Sequence, residues 1–86
     1  MVSATLTVKN KSGLHARPAS KLAMLCQKFE SDLCIRAGEK EIDPKSIVDL
    51  LSNGVKQGTE IEITADGSDE QNALDEIVSL IGSFTE

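Results

Sequence analysis

Three short segments of the chain alternate apolar with polar residues, and this alternation restricts the fold more than any other feature of the sequence. The segments are residues 4–9, 33–37 and 60–65. Their period of two places the apolar side chains of each segment on one face of a β-strand. A strand with one polar face lies in a sheet with one side in water, which is typical of antiparallel sheets. The alternation therefore predicts a mainly antiparallel sheet that is covered on one face only.

The remaining segments contain helical spacing and turn residues. Apolar residues recur every three or four positions from residue 16 to about Lys28, and again in the C-terminal segment, which predicts two helices. Gly38 allows a turn from the strand at 33–37 into a shorter strand at 40–43, so these two form a predicted hairpin. With a short helix between the third and fourth strands, the order is βαββαβα. The predicted fold is α+β, an open-faced two-layer sandwich of four strands with three helices on one face, and 86 residues fit a single domain, 1–86.

Two of the helices have cap signals. Ser46 precedes an apolar stretch and Gly54 follows it, which predicts Ser46 as the N-cap of the short helix and Gly54 as its end. Ser68, with Gln71 three residues later, resembles a capping box and predicts the start of the C-terminal helix.

Composition argues against several classes of protein. The chain has no Trp or Tyr, two Phe and a net charge of -5, whereas proteins that bind single-stranded nucleic acid use aromatic stacking and basic grooves. No apolar run approaches the ~20 residues that a membrane-spanning helix needs, and no signal peptide is visible. Cys26 and Cys34 are too few to form the disulfide framework of a small secreted protein. We therefore expect a cytoplasmic protein without nucleic-acid binding or membrane insertion.

Charge is distributed unevenly along the sequence. Residues 1–29 contain five basic and no acidic side chains, whereas residues 30–86 contain four basic and fourteen acidic ones. A basic surface attracts anionic partners by electrostatic steering. The first third of the chain is therefore predicted to face a phosphate or an acidic partner.

The only histidine, His15, lies between a glycine loop and a helix start. Pro18 fits only near the first turn of a helix, so it predicts a helix that begins at about residue 16 and has His15 as its N-cap. The free backbone N–H groups of Ala16 and Arg17 would then meet an anion on the imidazole, as at other helix N-termini. The Arg17 guanidinium can hold phosphoryl oxygens with two parallel hydrogen bonds.

No metal-ligand cluster, nucleotide-binding loop or partner base accompanies this histidine in the sequence. Hydrolysis would need an activated water, and a kinase would need Mg²⁺ ligands and a nucleotide site. A lone nucleophile beside an anion site is what a group carrier requires. The sequence therefore predicts a carrier rather than an enzyme, without a metal or a cofactor.

One run in this region resembles the active-site signature of the HPr family, the histidine-containing phosphocarrier proteins of the bacterial phosphoenolpyruvate-dependent sugar phosphotransferase system. The run is Gly13-Leu14-His15-Ala16-Arg17-Pro18-Ala19, and the resemblance extends over essentially the whole chain in length and element order. It implies that His15 takes a phosphoryl group on Nδ1 from enzyme I and passes it to the IIA domain of a sugar permease. It also implies that Arg17 steadies the phosphate in both transfers.

A second part of the resemblance is the run Lys45-Ser46-Ile47. In many Gram-positive members of the family, HPr kinase/phosphorylase phosphorylates the serine at this place, so Ser46 is a candidate regulatory site, although it is explained equally well as a helix cap. The resemblance also implies partner docking by Ile47, Leu50 and Leu51. A shuttle that visits several partners is most simply a monomer.

Three other classes of protein fit the sequence less well. A regulatory module of the same fold that acts by docking alone would have no use for the exposed His15. An acyl carrier protein is also small and acidic, but it is a helical bundle whose attachment serine follows an aspartate, whereas Ser46 follows Lys45. A metal chaperone would need a Cys-x-x-Cys motif, whereas Cys26 and Cys34 are eight residues apart and predicted on opposite faces of the sheet.

Overall fold

A computed structural model describes residues 1–85 of the chain, and their order of elements is the predicted βαββαβα. The elements are β1 (Val2–Thr7), α1 (Ala16–Cys26), β2 (Asp32–Ala37), β3 (Lys40–Ile42), α2 (Ile47–Asn53), β4 (Glu60–Asp66) and α3 (Glu70–Ser83). Helix α1 ends two residues before the predicted Lys28.

The four strands form one sheet in the order β1-β4-β2-β3, with every neighbouring pair antiparallel. Ile63 of β4 is paired with Ala4 of β1 on one side and with Ile35 of β2 on the other. Ile35 and Ile63 are fully buried, and α3 packs against β1 and β4. The alternate residues of β4, such as Glu62, are not buried. The predicted α+β sandwich with one open sheet face is confirmed.

The two cap predictions have different outcomes. The Ser46 hydroxyl accepts a hydrogen bond from the Asp49 backbone N–H at 3.2 Å, and Gly54 ends α2 in the left-handed conformation, so both predictions for α2 are confirmed. The predicted capping box at Ser68 is wrong, because Asp69 is the N-cap residue of α3. Ser68 instead donates to the Glu30 carboxylate at 3.3 Å.

Asp69 joins the start of α3 to the segment before β2. Its carboxylate accepts from the backbone N–H of Glu30 at 2.9 Å and of Ser31 at 3.0 Å, and from the Ser31 hydroxyl. These bonds cross 38 or 39 positions of sequence, so a local pattern gives no sign of them. They explain why Asp69, rather than Ser68, marks the end of this loop.

We expect Asp69→Asn to lower the thermal midpoint at neutral pH and to weaken its dependence on acid pH. The Ser31 hydroxyl, followed by the Glu30 N–H, lowers the pKa of the Asp69 carboxyl below its ordinary 3.8. Because the folded-state pKa is the lower one, this stabilisation is complete above the ordinary value and is lost as the pH falls through the folded-state value. Thermal unfolding followed from pH 7 downward measures the effect. The control is Glu76→Gln, which removes the same charge from an exposed side chain of α3 that has no hydrogen-bond partner within residues 1–85; an equal change in both variants would contradict the assignment.

The two cysteines lie on opposite faces of the sheet, as predicted. Cys26 is fully buried between helix and sheet, and this burial raises the pKa of its thiol to about 12. Cys34 is half-buried and is paired in register with Thr64 on the open face. Both are free thiols, and Cys26 has the role of a small apolar core residue.

Candidate functional site

The loop that carries His15 is fixed to the loop between α2 and β4 by backbone hydrogen bonds. The Leu14 N–H donates to the Val55 carbonyl at 2.9 Å, and the Gly58 N–H donates to the Val8 carbonyl at 2.7 Å. Leu14, Val55 and Val8 are buried. The residue before His15 is therefore held in the core, and the histidine itself is held at the rim between two loops.

Gly13 lies in close contact with the loop that contains Val55 and Lys56. Its φ is +64°, in the left-handed region, and a Cβ at this position would lie 2.1 Å from the Val55 carbonyl oxygen. The Asn10 side-chain amide donates to the Gly13 carbonyl at 2.8 Å, and the Gly13 N–H donates back to the Asn10 carbonyl at 3.1 Å. Only glycine allows this conformation and this approach together.

His15 is the N-cap residue of α1, as predicted. Its backbone is extended, with φ −133° and ψ 159°, and within residues 1–85 its side chain forms no cap hydrogen bond. The imidazole is exposed, whereas Pro18 is buried in the first helical turn. This part of α1 contains no acidic residue. The imidazole is therefore accessible at the positive end of a helix dipole.

The residue after His15 has a conformation that the sequence did not predict. Ala16 has φ +48°, and it is the only non-glycine residue with a positive φ among residues 1–85. A left-handed alanine costs about 1 to 2 kcal/mol, so the surrounding structure must impose it. The sequence contains no signal for this strain, because alanine favours the right-handed helix. The strain lies directly at the turn between His15 and the first amides of α1.

A shallow pocket of 280 Å³ opens beside the imidazole, and it is lined by Ser12, His15, Gly54, Val55 and Lys56. Lys56 was not identified from the sequence, since it belongs to the acidic two thirds of the chain. Its place follows from the contact between the two loops, which no local pattern reports. Arg17 is exposed two residues after the histidine.

A family model described as "PTS HPr component phosphorylation site" matches residues 2–83. The chain belongs to the HPr family. It is 44% identical over 77 residues to the phosphocarrier protein HPr of Mycoplasma capricolum, covering 90% of this chain and 86% of that protein. The structure of this chain matches a crystal structure of HPr-C-His from Thermoanaerobacter tengcongensis with a TM-score of 0.93 and 40% sequence identity. The match covers 96% of this chain and 93% of that one.

A longer protein also contains an HPr-like segment. The chain is 49% identical over 67 residues to the phosphoryl donor subunit DhaM of the phosphoenolpyruvate-dependent dihydroxyacetone kinase of Providencia stuartii. The match covers 78% of this chain and 14% of that protein. Membership in the HPr family makes this chain a phosphocarrier of the phosphotransferase system, and not an enzyme. The observed β-strands exclude the all-helical acyl carrier alternative.

The predicted docking residues of this HPr-family chain are not all accessible. Ile47 is 39% exposed and Leu51 is 36% exposed, whereas Leu50 is completely buried. The prediction that Leu50 contacts a partner is therefore wrong, because its side chain faces the core that α2 shares with α1 and β3. Val48, which is 73% exposed, lies on the outer face instead, and Met24 is a further exposed apolar residue on α1.

Within residues 1–85, no group of three or more His, Cys, Asp or Glu side chains could hold a metal ion. None of the three helices found there is long and apolar enough to cross a membrane.

Proposed function

We propose that His15 accepts a phosphoryl group from phosphorylated enzyme I and passes it to the IIA domains of sugar permeases. The observation that supports this most directly is an exposed imidazole at the N-terminus of α1 that makes no side-chain cap hydrogen bond within residues 1–85. In the first transfer, the lone pair of Nδ1 forms a bond to phosphorus while the bond between phosphorus and the donor breaks, leaving its electron pair on the donor. In the second transfer, Nδ1 of His15 is the leaving group. The phosphoryl group therefore passes through the protein without water, nucleotide or metal.

The surroundings of the imidazole supply the electrostatic part of the mechanism. The first N–H groups of a helix have no intrahelical acceptor, so the backbone N–H groups of Ala16 and Arg17 lie where they can donate to phosphoryl oxygens on His15. The helix dipole favours the added negative charge. The exposed Arg17 guanidinium gives two directional hydrogen bonds to the same oxygens. These groups stabilise the charged carrier state and also the transition state of each transfer.

The proposal includes the setting of the protein. Residues 1–86 act as one HPr-like phosphocarrier domain, a cytoplasmic monomer that docks its partners in turn. The docking surface is formed by three residues of α2 that are both apolar and exposed, Ile47, Val48 and Leu51. The absence of acidic residues from 1–29 favours donors and acceptors with acidic faces.

The experiment that tests this function is phosphorylation of the purified protein by enzyme I and radiolabelled phosphoenolpyruvate. We expect one label per chain, stable in alkali and lost in acid, as for a phosphoramidate bond to histidine. Addition of a IIA domain should then transfer the label. A protein that enzyme I cannot label, although circular dichroism shows it to be folded, would contradict the proposal.

Arg17→Lys is expected to slow phosphoryl transfer by about tenfold without loss of folding. Lysine keeps the charge but cannot donate two parallel hydrogen bonds to the phosphoryl oxygens. The loss of one charge-assisted hydrogen bond, about 1.5 kcal/mol, corresponds to an about tenfold lower rate. Rapid-quench measurement of transfer from enzyme I gives the rate. Arg36→Lys is the matched control, since Arg36 pairs with Glu41 at 3.2 Å on the open face of the sheet. An unchanged rate in Arg17→Lys would show that only the charge matters.

Phosphorylation of Ser46 by HPr kinase/phosphorylase stays a proposal from the family resemblance. The Ser46 hydroxyl is half-buried and accepts the Asp49 N–H. The Asp49 carboxylate in turn accepts the Asp43 N–H at 2.7 Å. A phosphate here would gain from the helix N-terminus but would lie close to two aspartates, so the electrostatic effects oppose each other.

A further inference from the structure

Lys56 lines the pocket beside His15, and the fold fixes its backbone there. Its Cα lies 2.9 Å from the position that a Cβ on Gly13 would occupy. The adjacent Val55 carbonyl accepts from the Leu14 N–H, and the Lys56 carbonyl accepts from the Thr59 N–H at 3.1 Å. The Lys56 backbone is therefore held against Gly13, two positions before the histidine, although Lys56 is 41 positions from His15 in sequence.

The position of Lys56 is also unusual for a basic residue in this half of the chain. The other three basic residues after position 29 are all engaged. Arg36 pairs with Glu41, the Lys40 ammonium donates to the Asn53 carbonyl, and the Lys45 ammonium donates to the Phe29 and Ser31 carbonyls.

Lys56 differs from these three residues. Within residues 1–85, its exposed side chain makes no hydrogen bond and no ion pair. An ammonium with three donors is thus available on a residue that lines the same pocket as His15. A lysine on a flexible stem is suited to contact a phosphate as a point charge.

We propose that the Lys56 ammonium contacts the phosphoryl group on His15 from the side of the pocket opposite the helix. It forms a second cationic contact, in addition to Arg17 on the helix side, and so contributes to holding the phosphoryl oxygens between two loops. The inference rests on the proposed phosphorylation of His15. It adds a phosphate-contacting residue that comes from the loop between α2 and β4.

The phosphoryl group itself reports this contact, in the absence of any partner. A nearby positive charge favours the dianionic form and lowers the pKa of the second phosphoryl ionisation. We therefore expect this pKa, followed by phosphorus NMR, to rise by about 0.5 to 1 pH unit in Lys56→Gln. Lys56→Arg should stay close to the unmodified protein, because it keeps the charge.

Lys28→Gln is the matched control for charge. Lys28 is exposed two residues beyond the far end of α1, and the 11 residues of α1 alone span about 16 Å between it and His15. At physiological salt the screening length is about 8 Å, so this variant should leave the phosphoryl pKa almost unchanged. Equal, small changes in Lys56→Gln and Lys28→Gln would overturn the contact.

The test of the Lys56 contact can be separated from the test of the proposed function. If enzyme I does not label the protein, phosphoramidate can phosphorylate the single histidine directly, with release of ammonia as the new N–P bond forms. The titration then still tests Lys56 while the proposed function has failed. If Lys56→Gln slows transfer from enzyme I but leaves the phosphoryl pKa unchanged, Lys56 docks an acidic partner and the proposed phosphate contact is wrong.

Discussion

His15→Ala is expected to remove the phosphoenolpyruvate-dependent label completely while leaving the protein folded. His15 is the only histidine, so no second imidazole can take over the chemistry. Within the described residues its side chain forms no cap hydrogen bond, and it is exposed. Its removal should therefore change the free energy of unfolding by about 1 kcal/mol or less. Label incorporation from enzyme I and chemical denaturation measure the two effects separately.

A second substitution separates chemistry from helix capping. Asparagine is among the most favourable N-cap residues but is no nucleophile for phosphoryl transfer, so His15→Asn should be at least as stable as the unmodified protein and still unlabelled. Retention of an acid-labile label in either variant would place the phosphoryl group on another residue. The proposed mechanism at the start of α1 would then be wrong.

Most of the fold could be predicted from the sequence because its signals are local. The alternation of β4 is visible in Glu60–Asp66 itself, and the burial of Ile61, Ile63 and Ala65 follows it directly. The start of α1 could be predicted for a similar reason, since Pro18 restricts the backbone wherever it stands. The position of His15 relative to the helix therefore follows from the local sequence alone.

The predictions that failed or were missing depend on contacts between distant segments. Ser68 has the local pattern of a cap, but the bonds of Asp69 to Glu30 and Ser31 decide where the loop ends. Leu50 and Val48 are both apolar residues of one short helix, and only the packing of α2 decides which one faces the core.

The site has the same dependence on distant segments. The imidazole and the amides of α1 come from one stretch of sequence, and this part was predicted. The second wall of the pocket comes from Gly54, Val55 and Lys56, which reach it only because Gly13 allows the loops to touch. The family signature therefore contains the proposed nucleophile, His15, while the packing of a second loop completes its surroundings.

Gly13→Ala is accordingly expected to have the largest effect on stability. The left-handed backbone at φ +64° costs alanine about 1 to 2 kcal/mol. A Cβ placed 2.1 Å from the Val55 carbonyl oxygen and 2.9 Å from the Lys56 Cα forces backbone to move, which adds about 1 to 3 kcal/mol. The total of about 2 to 5 kcal/mol is a large part of the ~5 to 15 kcal/mol that stabilises a typical domain. Chemical denaturation measures it.

Gly38→Ala isolates the steric part of this effect. Gly38 has nearly the same φ, +65°, but among residues 1–85 nothing lies within 4 Å of an added Cβ. The free energy of unfolding of Gly38→Ala should therefore fall only by the cost of the left-handed backbone, about 1 to 2 kcal/mol. Gly13→Ala should in addition slow phosphoryl transfer from enzyme I, because the Leu14 to Val55 hydrogen bond that holds the histidine loop must lengthen, whereas Gly38→Ala should transfer normally. Equal losses of stability in the two variants would show that the loops separate without cost, and the histidine would not need the second loop to hold its place.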